Sequence, residues 1–181
     1  ATRERLQAMA NEFAEKTKSF SENVLDATNA YEKIVEDPDQ LKGLPDSIRE
    51  GARLDALRKG YGSEEAPAYR FTLQIPSFLP VMKYVHDDHL RRELYEAFTA
   101  VGSTEPHDNE PLIREILSLR AEKAALLDRS NFPALVLSRR MAGDPKTALA
   151  FLDDRHERIK GAIEREVAEV GDCRSRKGRN R

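Results

Sequence analysis

Apolar residues at Leu6, Met9, Ala10, Phe13, Phe20, Val24 and Ala27 recur at spacings of three, four and seven, which draws one stripe down a long helix. That helix is expected to fade near Glu36, where an acidic cluster and Pro38 stop continuation. Tyr31 to Val35 reads either as its end or as a short strand, since the run is rich in Tyr, Ile and Val and needs only a partner. Pro45 sits like a first-turn proline and Gly60 like a stop, so residues 45–59 read as a second helix. Tyr69, Phe71, Leu73 and Ile75 then alternate with Arg70, Thr72 and Gln74, the period of a half-buried strand that Pro76 would end. The two runs are natural partners, about 31–35 with 69–75.

From Ser77 on the pattern is helical again. A short helix runs through Tyr84, and Leu90, Leu94, Ala97, Phe98 and Val101 form one face closed by Gly102. A loop over 103–108 precedes a helix opened by Pro111 and ending near Asp128. Asn131 and Pro133 start another. Gly143-Asp144-Pro145 breaks it and caps the last, where Leu149, Leu152, His156, Ile159, Ile163 and Val170 approximate a heptad seam that Gly161 weakens and Gly171 ends. No internal repeat is visible. The pattern predicts a mainly α protein, a multi-helix bundle with one short strand pair, over residues 1–171, followed by a basic, disordered tail at 172–181.

Length and composition fit one domain with a real core. At 181 residues, 39% hydrophobic and 34% charged, folding should hide roughly 70% of the unfolded chain's surface. The longest apolar run, Phe132 to Leu137, is far short of the roughly 20 residues a bilayer-spanning helix needs. A single Cys173 and no apolar leader read as a reducing compartment, and the cytoplasm is the expected location. The first residue is Ala1 and periodicity begins almost at once, which suggests a piece of something longer.

Net charge is -2, but Asp172 to Arg181 holds five bases and one acid, leaving 25 bases against 31 acids elsewhere, a body at -6. A basic tail of this size without interleaved aromatics supports only weak, salt-sensitive contact with nucleic acid, and a dedicated nucleic-acid role is not expected.

Candidate chemistry is sparse. His86-Asp87-Asp88-His89 has the residue types of a zinc site, yet it lies between two helices, where an aspartate is expected to cap free amides. His156-Glu157-Arg158-Ile159-Lys160 lacks the second imidazole of a His-Glu-x-x-His motif, because Lys160 stands in its place. The acidic pairs Glu64-Glu65, Asp87-Asp88 and Asp153-Asp154 fit exposed loops and helix ends. The Phe13 and Phe20 stripe and Met141 read as core. No phosphate loop, nucleophile elbow or Cys pair occurs, so no catalytic, cofactor-binding or metal residue is assigned.

Several stretches taken together resemble a known family. They are Ser21-Glu-Asn-Val-Leu-Asp-Ala-Thr28, Leu73-Gln-Ile-Pro-Ser-Phe-Leu-Pro-Val-Met-Lys-Tyr84 and Leu90-Arg-Arg-Glu-Leu-Tyr95, then Ile116-Leu-Ser-Leu-Arg120 with Glu122, Leu126 and Leu127. Asn131-Phe132, Met141-Ala142, Pro145 and Phe151-Leu152-Asp153 follow. Their order resembles the zinc oligopeptidase family that includes thimet oligopeptidase, neurolysin and bacterial oligopeptidase A, the last most of all, from about residue 3 to about residue 154. Asp128 stands where that family usually has Gly, Val101 where it often has Arg, and the tail from Asp172 resembles nothing in it.

The resemblance implies a helical region lying before the catalytic core of a longer metalloendopeptidase that degrades short peptides. The implied role is to wall the substrate channel and to pack against the missing catalytic half. Zinc belongs to the full-length family, none of whose ligands can be carried onto this sequence, so this chain alone is expected to be inactive. Apolar stripes left open without that half would favour self-association. The alternative is a stand-alone helical protein-binding module using the last helix.

Overall fold

The computed structural model describes residues 2–178. Among them are seven helices: α1 (Thr2–Ala30), α2 (Asp46–Arg58), α3 (Ile75–Tyr84), α4 (Asp88–Thr99), α5 (Glu110–Leu126), α6 (Phe132–Leu137) and α7 (Pro145–Gly178). Two strands, β1 (Glu32–Val35) and β2 (Tyr69–Thr72), pair antiparallel with Ile34 opposite Arg70 and Val35 opposite Tyr69. The mainly α class with one strand pair is therefore as the sequence pattern predicts. The contacts divide the chain into two compact units, residues 3–117 and residues 118 onward.

The first unit is built around β2. Tyr69 and Phe71 point one way, into a core with Val35, Leu41, Leu44, Leu73, Phe78, Val81, Val85, Leu90 and Leu94. Lys33 shares that face opposite Phe71 and carries its ammonium out to Glu93, 2.7 Å away, so its stem packs while its charge stays wet. Helix α2 packs against β2 and contributes Ala52 to the same core. Phe78 of α3 stacks on Phe98 of α4 with ring centroids 4.3 Å apart.

The strand is shorter than its alternation predicts. It stops at Thr72, because Ile75-Pro76 already form the first turn of α3, where proline's missing N–H costs nothing. The Ser77 hydroxyl accepts the Thr72 amide at 3.0 Å and closes that corner. Pro45 is the residue before α2 rather than its first. Gly60 ends α2 as predicted: at φ +85, it lets Tyr61 N–H reach the Ala56 carbonyl and its own N–H reach Leu57, both at 3.0 Å.

Asn109 is the one buried polar residue among those described. Its amide nitrogen donates to the Phe20 carbonyl at 3.2 Å, its side-chain oxygen accepts from Asn23 at 2.9 Å, and its own N–H donates to Gly102 at 2.9 Å. One side chain thus ties α1 to the turn that starts α5. Asn109→Ala should cost about 2 kcal/mol by urea denaturation, because the bonds and packing go together.

In the second unit α5 closes on a two-bond cap, Arg129 N–H to the Ala124 carbonyl at 2.9 Å and Asp128 N–H to Ala125 at 3.1 Å. That geometry puts Asp128 at φ 53, a conformation glycine adopts freely and other residues at a cost. Asp128→Gly should raise stability by about 0.5–1 kcal/mol, read from the thermal midpoint.

Asn131 caps α6 through the Ala134 amide at 2.8 Å, and Asp144 caps α7 through Thr147 at 2.9 Å. Two expectations fail in this unit. Met141 is fully exposed rather than core, since it lies in the turn between α6 and α7. And α7 does not stop at Gly171 but continues to Gly178. Neither Gly161 nor Gly171 takes a positive φ, and Arg174, Arg176 and Lys177 are helix formers whose charge suits a helix C-terminus. The last residues of the basic tail, 179–181, lie outside the described residues.

Candidate functional site

His86-Asp87-Asp88-His89 is a helix entrance. Asp87 precedes α4 and accepts the Leu90 amide at 2.9 Å, while Asp88 pairs with Arg91, which also donates to the Val85 carbonyl. Both carboxylates are therefore engaged in holding the turn. His86 donates its backbone N–H to the Lys42 carbonyl at 2.8 Å, and its ring lies against Gly43. The capping role expected of this tetrapeptide is the one found.

Polar side chains converge elsewhere, beside the strand pair. The Arg70 guanidinium donates to Glu32 at 2.6 Å and also to Asp55 of α2, while Glu32 accepts the Tyr61 hydroxyl. The hydroxyl of Tyr61, then the Arg70 guanidinium, hold the Glu32 carboxyl below its ordinary value of 4.5. Glu32 in turn pushes the Tyr61 phenol up. The sequence pattern did not reveal this network, although the strand register contains it: Glu32 and Arg70 share a face as diagonal neighbours.

Because its folded-state pKa is lowered, Glu32 stabilises the fold fully above the ordinary carboxylate range, and that contribution disappears as pH falls through the lowered value. The thermal midpoint of the chain should exceed that of Glu32→Gln at about pH 6, and the gap should narrow as pH falls below the ordinary carboxylate value of 4.5.

A cavity of about 270 Å³ opens next to this network, lined by Ser47, Ile48, Gly51, Asp55, Arg70, Thr72 and Ser77 among others. Its guanidinium already holds two carboxylates and the Ser77 hydroxyl already holds the Thr72 amide. No histidine or cysteine lines it, and its one carboxylate, Asp55, is held by Arg70. The arrangement fastens α2 to the sheet.

His156 and Lys160 are exposed on α7, and Cys173 is an exposed free thiol. Among the described residues no group of three or more His, Cys, Asp or Glu is placed to hold a metal ion. Tetrahedral zinc needs at least three protein donors converging on one point. The described residues do not supply such a set. Also among the described residues, no helix is long and apolar enough to cross a membrane.

A helical segment rich in capped turns and poor in reactive groups is what comparison with known proteins places in a peptidase family. The family model "Peptidase family M3" matches residues 81–180, more than half of the chain, and the protein belongs to that family. Oligopeptidase A of Haemophilus influenzae is 41% identical over 162 residues, 87% of this chain and 23% of that protein. Oligopeptidase A of Escherichia coli is 37% identical, covering 92% of this chain and 25% of that protein. An organellar oligopeptidase A, chloroplastic/mitochondrial, of Arabidopsis thaliana is 36% identical over 81% of this chain and 19% of its own length. The chain thus spans about a quarter or less of the relatives it matches and corresponds to part of an oligopeptidase A-like M3 protein.

Proposed function

We propose that this chain is a non-catalytic helical segment of an oligopeptidase A-like zinc metalloendopeptidase. Its role is to form part of the wall along which short peptides reach a catalytic half carried by the remainder of the polypeptide, its principal partner. The carrying observation is a pairing: strong likeness to oligopeptidase A across most of the chain, and no metal-holding group among the described residues. Capped helix entrances and the Arg70 network are devices for holding shape, which suits a wall. The free thiol of Cys173 agrees with a cytoplasmic location.

The test is reconstitution. The chain is incubated with zinc and a quenched short peptide, alone and together with a polypeptide supplying the catalytic half. Silence alone and cleavage in the mixture are expected. Cleavage by the chain alone contradicts the reading, as does a catalytic half whose rate and peptide preference do not change when the chain is added.

A further inference from the structure

Helix α7 carries one apolar stripe, Leu149, Leu152, Ile159, Ile163, Val167 and Val170, with His156 as its one polar member. Spacings of three and four hold these residues on one side of the helix for about 32 Å. Asp154, Arg158, Arg165, Glu169 and Asp172 stand on the opposite side. Each aliphatic member of the stripe is at least 47% exposed, and no residue from 145 to 176 is buried. A helix in a protein draws most of its stability from packing such a face, yet within this chain the stripe stays open.

We infer that in the full-length polypeptide this stripe is covered by a segment of the part that lies outside this chain, while the charged side of α7 stays in water. The inference rests on the oligopeptidase A-like reading and deepens it, by naming the surface through which this chain joins the rest. The family match runs from residue 81 to residue 180, so α7 lies wholly within it. The chain amounts to 23–25% of the bacterial relatives, so about three quarters of such a polypeptide is available to supply the cover. The covering segment is apolar where it meets Leu152, Ile159 and Ile163, because a polar group set there would lose its water without gaining a partner. The same cost keeps the charged side of α7 uncovered.

Charge opposes a second copy of α7 as the cover. Antiparallel about residue 161, the register that matches aliphatic layers, Lys160 meets itself and Lys146 meets Arg174 twice. Parallel and in register, His156 meets His156.

Thiol labelling tests the inference. In a Cys173→Ser background, Ile159→Cys places a thiol on the stripe and Arg165→Cys places one opposite. Each is made in the 181-residue chain and in a chimera, a full-length oligopeptidase A whose matching region is replaced by this chain. Both positions should react quickly with a fluorescent maleimide in the isolated chain. In the chimera the thiol at 159 should react at least about 100-fold more slowly, while that at 165 changes by no more than about threefold. Val167→Cys repeats the measurement from a second place on the stripe. A thiol at 159 and at 167 that reacts as fast in the chimera as in the isolated chain overturns the inference. Equal protection at 159 and 165 overturns it too, since the burial then ignores the stripe. So does slow labelling at 159 in the isolated chain that is relieved by dilution, which means a second copy. Cleavage of a quenched short peptide by the chimera tests the peptidase reading separately: an active chimera with a reactive stripe keeps that reading without this inference, and a protected stripe in an inactive chimera does the reverse.

Discussion

Gly43→Ala should destabilise the first unit by at least about 3 kcal/mol, more than any surface change in the chain. Gly43 has φ +93, and a Cβ there would stand 2.2 Å from the Tyr84 carbonyl oxygen and 2.7 Å from the His86 ring. The nearer obstacle is backbone and cannot swing aside, and the His86 N–H to Lys42 carbonyl bond ties its segment to the turn. The turn can accept a methyl group only by parting from the Tyr84 to His86 segment. Leu41, Leu44 and Val85, all buried, are on the elements that would separate. Denaturation midpoints together with hydrogen exchange at the His86 amide check this. An alanine variant within about 1 kcal/mol of the parent would show that the turn yields without cost.

Phe71→Ala should cost about 3–5 kcal/mol. Phe71 is 1% exposed and the largest of the fully buried side chains, sitting on the short strand that joins the sheet to the helices. Its loss leaves a void bordered by residues from several elements, none of which can collapse into it without moving the others. The expected readout is a large fall in urea midpoint with reduced cooperativity. Phe71→Leu, which keeps most of the volume, should recover the greater part.

Much of this fold was legible in the chain. The 3.6-residue stripes and the capping residues Asp87, Asn131 and Asp144 marked helices that form where they were expected, because those signals are local. Alternation at Tyr69 to Ile75 identified the strand, and the Tyr31 to Val35 run identified its partner. What escaped depends on tertiary placement. Asn109 looks like any loop asparagine until α1 is brought beside it. Arg70, Glu32, Asp55 and Tyr61 are ordinary surface residues until the strand register aligns them. Gly171 resembles a stop, but a stop needs a turn after it, and the basic residues that follow favour more helix. Met141 is exposed because hydrophobicity alone does not bury a residue in a short turn.

The candidate site was legible chiefly in what the residues cannot do. Lys160 in place of an imidazole removed the zinc motif from α7, and the structure commits Asp87 and Asp88 to a helix entrance instead of a metal. The Asp128 position shows the same logic in reverse. Asp128, where the resemblance implies a glycine, takes a left-handed conformation at φ 53, one that glycine adopts freely and aspartate at a cost.

The central claim, that this chain contributes shape but no reactive group, is tested most directly by the zinc it holds. Titration of the metal-free chain with zinc in a calorimeter should show no site filling at one ion per chain. A stoichiometric, tight site, abolished by replacing His86 and His89 or His156, would contradict the account.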